Sequence, residues 1–240
     1  MTDHPILFSG PMVRALLDGR KTQTRRTLGQ FDVFRHEDGS EAPVSCLHVE
    51  GEPLPRVTIG RVVIERKLKA AVGDRLWVKE THARVGDNGD DHMACPDLTR
   101  LVYYRADDVQ PELSRWRPSI FMRRQDSRLT LIVTDVRVER LQDISEPDAI
   151  AEGVPEHLEG NTGEEMYCQT CHGNGVHGAF GRDFGVIEVD CQECVTAKQK
   201  YLALWNHING HGAWETNPWV AAYTFRVIKQ NIDKIEKVAA

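Results

Sequence analysis

The chain has 240 residues, 28% of them charged and 40% hydrophobic, and a formal net charge of −6. That length buries a core without disulfide support, and the balance is that of a globular protein rather than a disordered or histone-like one. The longest apolar runs, such as Leu129 to Val133, fall far short of the roughly 20 residues a membrane-spanning helix needs, and no basic leader precedes an apolar stretch at the N-terminus, so the sequence reads as cytoplasmic.

In chain order, Ile6 to Phe8 predicts a short strand, and Ser9-Gly10-Pro11 a helix entry. Met12, Ala15 and Leu16 recur at helical spacing, and Gly19 stands where a residue after a helix end is expected. Residues 22 to 27 have strand composition; a straight strand would point Lys21 and Thr24 to opposite faces, so a bend near Thr22 is expected if they act together. The polar stretch 30 to 56 reads as a peripheral insertion. Val57 to Leu68, Leu76 to Thr81, Leu101 to Tyr104 and Arg128 to Arg140 read as strands, and 86 to 97 as a loop.

Ser145-Glu146-Pro147-Asp148 has the form of a helix cap, with an acid three residues after the serine whose side chain can return to the cap backbone, and Gly153 ends that helix. Ala197, Tyr201, Leu204, Trp205 and Ile208 form one helical stripe closed by Asn209-Gly210. Trp219, Ala221, Tyr223, Phe225 and Val227 alternate as a half-buried strand does, and Ile232 and Ile235 suggest a tail helix over 229 to 240. Trp77, Trp205 and Trp219 lie on apolar stripes and are expected in the core. Many strands with few helices predict an α+β domain on a curved sheet or small barrel.

Two features carry chemistry. Cys168-x2-Cys171 and Cys191-x2-Cys194 have the spacing of a four-thiolate zinc site, whose closed coordination makes it structural. A disulfide is disfavoured in a cytoplasmic setting, and Cys46 and Cys95 read as ordinary thiols. The segment Cys168-Gln-Thr-Cys171-His-Gly173-Asn-Gly175 also resembles a half-site of the zinc region in DnaJ-type co-chaperones, without the glycines after the second pair. The other feature is basic. Five bases against one acid occur in each of Arg14 to Arg26, Arg56 to Lys69 and Arg115 to Arg128, whereas Gln142 to Glu165 holds eight acids and no Lys or Arg. Brought together, the basic segments would make a positive face on an acidic protein, and Trp116 between Arg115 and Arg117 could stack on a base.

Gly19-Arg20-Lys21-Thr22-Gln23-Thr24-Arg25-Arg26 fits G-x-K-x-x-x-x-R after a short helix. This pattern resembles the ASCH domain family of the PUA-like superfamily, and Gly73-Asp74-x-Leu76-x-Val78, Val133-Thr-Asp-Val136-x-Val138, the Ser145 helix and the strand at 219 to 228 continue the likeness. With ILFSGPMVRALLDGRKTQTRR, GDRLWVKET, WRPSIFM and NPWV, it looks like a phage or prophage variant. The resemblance implies a small β-barrel domain over 1–160 and 196–228, a zinc-binding insertion at 161–195, and a cleft for RNA, a nucleoside or a modified nucleobase.

Members resembling this chain include amidohydrolases that remove the acetyl group from N4-acetylcytidine with a Lys, a Thr and a Glu, and one described as a ribonuclease. Carried over, these are Lys21, Thr24 and Glu152, with Glu80 as the alternative acid. Arg20, Arg25 and Arg26 would depress the Lys21 pKa or bind phosphate. A non-catalytic RNA- or DNA-binding module and a metal-independent ribonuclease are the alternatives to the hydrolase.

Overall fold

The computed structural model describes residues 1–29, 31, 33–47, 51–52, 54–84, 101–107, 115–154, 168, 170–171, 176–180 and 186–235. The loop read at 86 to 97, Cys95, and much of the zinc-binding insertion lie outside these residues. The fold is mixed α+β, with mostly strands. It divides into two compact units: Met1–Gly19, Lys69–Asp135 and Phe225–Ala240 form one; Arg20–Leu68 and Val136–Thr224 form the other. Among the described residues no helix is long and apolar enough to cross a membrane.

In the first unit, strand β1 (Asp3–Leu7) leads into helix α1 (Gly10–Leu17), which buries Met12, Val13, Ala15 and Leu16. Helix α1 stops because Gly19 adopts φ 77°, a left-handed conformation costly for a residue with a Cβ, while the Asp18 amide donates to the Arg14 carbonyl. Strand β1 does not pair with its sequence neighbour. It lies parallel to a strand at Arg75–Lys79, with Ile6 opposite Val78. Strands β3 (Val44–Leu47), β4 (Arg56–Ile59) and β5 (Val62–Lys67) intervene in sequence, so the Arg75–Lys79 strand is β6.

A hairpin follows, β7 (His82–Arg84) antiparallel to β8 (Val102–Tyr104). Strand β9 (Thr130–Arg140) then pairs antiparallel with β6 through Thr130, Leu131 and Ile132. Leu76, Val78, Leu129, Leu131 and Val133 are buried, the alternation expected of strands against a core.

In the second unit, β3, β4 and β5 form an antiparallel three-stranded sheet. The single strand expected over 57 to 68 is two, turned at Gly60-Arg61; the β-branched composition suits either and the turn is short. Strand β2 (Gln23–Thr27) pairs antiparallel with the last strand, Trp219–Ile228. Helix α2 (Glu146–Ala151) starts at Ser145, whose hydroxyl accepts from the Asp148 amide. The two strands Val176–Phe180 (β10) and Val186–Asp190 (β11) make a hairpin inside the cysteine segment, so the closing strand is β12. Helix α3 (Ala197–Asn209) buries Tyr201, Leu204 and Trp205.

Ile208, expected on the same stripe, is 55% exposed. Trp205 and Trp219 are buried as expected, whereas Trp77 is only half-buried, its ring met by the Lys79 ammonium at 5.4 Å.

In the first unit β1, β6 and β9 pair in that order, and in the second β12 pairs with β2; among the described residues no closed barrel forms, unlike the expectation. Among the described residues of the tail expected as a helix over 229 to 240 there is a 3-10 turn, Ile232–Lys234, capped by Asn231; residues 236–240 lie outside them.

Candidate functional site

Between Arg20 and Gln23 the backbone changes partner. Lys21 forms an isolated antiparallel bridge with Glu152, and the Thr22 amide donates to the Ala151 carbonyl at 2.8 Å. Only from Gln23 onward does the chain join β12. Thr22 is therefore a break in pairing, at the position where a straight strand had to bend. On the other side, α2 lasts six residues, Glu152 is its C-cap, and Gly153 turns away at φ 82°.

These two turns bring Lys21 and Glu152 into buried contact. Their relative exposures are 1% and 3%. The Lys21 ammonium donates to Glu152 Oε2 at 2.9 Å and to the Glu152 carbonyl at 2.7 Å. The other carboxylate oxygen, Oε1, accepts from Arg25 at 3.1 Å and from the Tyr201 hydroxyl at 3.4 Å. Arg25 is itself buried. It donates to Gln23 Oε1 at 2.5 Å and twice to Glu139 Oε1, at 2.9 and 2.6 Å, and its guanidinium lies 5.9 Å from the centre of the Tyr201 ring. Gln23 in turn donates to Asp148 Oδ1 and Thr224 Oγ1.

The electrostatics follow from this crowding. Burial pushes the Lys21 pKa down. Glu152 opposes that shift, and Arg26 and Arg25 add to it, so the net direction is downward. Burial also disfavours charge on Arg25, but Glu152 and Glu139 outweigh it and raise its pKa. Arg26 is lowered, mainly by burial. The Tyr201 hydroxyl is pushed well up, by burial and then by the Glu152 charge, and stays a neutral donor.

Thr24 is buried at 4% exposure and lies opposite Tyr223 of β12. Strand alternation sets it on the other face of β2 from Gln23 and Arg25. Lys21 and Glu152 are thus joined directly, whereas Thr24 lies on the other face of β2 from the Arg25 that meets Glu152. Arg20 is exposed and donates to the Gly153 carbonyl at 3.2 Å.

The remaining expected contacts belong to the first unit. Glu80, 1% exposed, accepts two hydrogen bonds from Arg128, at 2.9 and 3.0 Å, and Arg128 also binds Asp107 and covers the Tyr104 ring at 4.0 Å. Burial raises the Glu80 pKa despite Arg128. Trp116 is half-buried and faces Arg105, at 5.7 Å from the ring centre, rather than its sequence neighbours. Arg117 pairs with His82 through the backbone, and Arg115 is exposed.

Tyr201, Glu139, Gln23 and Asp148 complete the cluster; the sequence reading names Tyr201 for its helical stripe and Asp148 for the cap, and none of the four as a site residue. One signal was there: a tyrosine on a core-facing helical stripe needs a partner for its hydroxyl.

The four cysteines of the paired C-x2-C motifs are buried, and their sulfurs all lie within 4.8 Å of one another. Cys168 and Cys191 approach to 3.7 Å, and Cys171 and Cys194 to 3.5 Å. These distances exclude disulfides, which need about 2.05 Å. A tetrahedral thiolate site with metal–sulfur bonds of about 2.3 Å puts sulfurs about 3.8 Å apart, so the donor set fits a metal ion. All four ligand positions would be protein thiolates, leaving none for a substrate.

In comparisons with known proteins, no family model, no curated protein and no solved structure matches the chain.

Proposed function

We propose that this chain is a PUA-like protein of the ASCH type that recognises a modified nucleobase or nucleoside, and that it hydrolyses the amide of an N4-acylated cytosine with Lys21, Thr24 and Glu152. One observation carries the reading: a buried lysine with a depressed pKa meets a buried glutamate across 131 residues of sequence. Burying such a pair costs several kcal/mol of desolvation, a cost that structural ion pairs seldom repay but active sites often carry.

In this reading neutral Lys21 takes the proton of the Thr24 hydroxyl as its oxygen attacks the acyl carbon. The C–N bond then breaks, the cytosine amine leaves with a proton delivered through Lys21 and Glu152, and water releases the acyl group from Thr24. Arg25 and Tyr201 hold the Glu152 carboxylate. A purely electrostatic RNA binder is supported less, because in the third basic segment Arg124 and Arg128 are each committed to two carboxylates.

Purified protein incubated with N4-acetylcytidine is expected to yield cytidine and acetate, followed by chromatography, and Lys21→Ala to yield none. Absence of turnover above that variant across a panel of acylated bases would overturn the reading. The ion at the cysteine centre is inferred to be zinc, from the four thiolates and their tetrahedral spacing. Elemental analysis should find about one zinc per chain, since one set of four ligands holds one ion.

A further inference from the structure

We propose that the four-cysteine centre is the device that positions the Lys21–Glu152 site, acting through helix α3, with Gln199 and Tyr201 as positioning residues. The proposal rests on the reading of that pair as the functional site. A continuous chain of contacts carries it, all within the second unit.

The second cysteine loop is bonded directly to the first turn of α3. Gln199 donates from Nε2 to the carbonyl of Gln192, which lies between Cys191 and Cys194. Its Oε1 accepts from the amides of Val195 and Thr196, at 3.0 and 2.9 Å, while the Thr196 hydroxyl accepts from the Gln199 amide. This is a reciprocal cap whose far end is the metal loop itself. Thr170, beside Cys171, bonds to Glu193, which fastens one cysteine loop to the other.

From α3 the contacts run to both ends of α2. Glu146, the first residue of α2, accepts from the amides of Ala197 and Lys198 at 2.8 and 3.3 Å. Two of the amides that a helix start leaves unbonded are thereby satisfied by the very helix whose last turn delivers Glu152. One turn into α3, Tyr201 reaches Glu152 with its hydroxyl and packs against Arg25. Trp214 closes the other side of Tyr201, edge-on at 6.2 Å.

Each contact would be ordinary alone. Together they tie the place where Glu152 sits to the geometry of a loop whose four thiols a metal would draw together, because four buried thiols without a cation crowd and desolvate one another. Metal loss would release the cap of α3, then Tyr201, then Glu152, leaving Lys21 with a less fixed partner.

The test uses the full-length protein, metal-loaded and after treatment with a zinc chelator. Amine acylation of Lys21, read by mass spectrometry against Lys79 and Lys229 of the first unit, reports the state of the pair without requiring turnover. Hydrogen exchange reports residues 146–152 and 197–205. Chelation is expected to raise Lys21 labelling and exchange in both helices by about tenfold or more, with Lys79, Lys229 and strands β1 and β6 unchanged. Gln199→Ala, which keeps all four cysteines, should retain metal yet raise Lys21 labelling.

Unchanged labelling and exchange on metal loss would overturn the coupling, as would a loss of protection across the whole chain, which would mean the metal serves general stability only. Coupling with no deacylation would instead leave the positioning role standing and remove the proposed reaction.

Discussion

At the scale of single residues, Lys21 decides most. Its ammonium is enclosed, and its depressed pKa has two consequences of known sign. If neutral Lys21 is the base, the rate of deacylation rises with pH to a midpoint below the ordinary lysine value of about 10.4. Stability should also rise with pH between the folded and unfolded pKa values of Lys21, because the unfolded chain binds the extra proton there. Lys21→Met should remove both slopes and lower deacylation by about 10²-fold or more, which pH–rate profiles and urea titrations at several pH values will check. Lys21 itself was legible, from its place after Gly19 in a family-like motif. The depression of its pKa was not, because that depends on Glu152, Arg26 and Arg25 arriving together.

At the scale of elements, short α2 has more work than its length suggests. Six residues cannot hold a helix in water alone. Its order rests on the Ser145 cap, on Glu146 bonded to α3, and on Asp148, which accepts from Gln23 and Arg137. Ser145→Ala is expected to cost about 1 kcal/mol in denaturant unfolding. It should lower turnover without altering metal content, since the cap lies on the Glu152 side of the coupling.

The cap was readable in sequence from Ser145 and Asp148. The full use of the Asp148 carboxylate was not readable. Expected to return to the cap, it does meet Ser145 and also accepts from Gln23 and Arg137, whose donors only the fold brings near.

At the scale of the whole chain, the beginning, middle and end of the first unit are clamped by one ion network. Arg75, buried to 2%, is held by both oxygens of Asp3 at 2.7 Å and donates to the carbonyls of Ile232 and Ile235, while Arg124 bridges Asp3 and Asp233. Burial alone would raise the Asp3 pKa, but the hydrogen bonds and charges of Arg75 and Arg124 prevail and hold it at about 2, below 3.8.

Because the folded value is the lower one, this contribution is complete above the unfolded pKa and is lost as pH falls toward about 2. Asp3→Asn leaves Arg75 buried without its carboxylate and should cost about 3 kcal/mol, with the loss measured at neutral pH and vanishing under acid. Thermal unfolding across that range checks it.

The amino-acid sequence by itself determined the four-cysteine pattern, the alternating strand β12, the stripe of α3 and the two glycine turns at 19 and 153. Each depends on neighbours a few residues away: ligand spacing, strand and helix period, and a backbone angle that glycine adopts freely. The tertiary structure alone decided that β1 lies parallel to β6, that Glu80 is answered by Arg128, and that Tyr201 and Arg25 share the carboxylate paired with Lys21. Periodicity states which face of an element is buried, but the charge it meets there depends on the register of segments far apart in the chain.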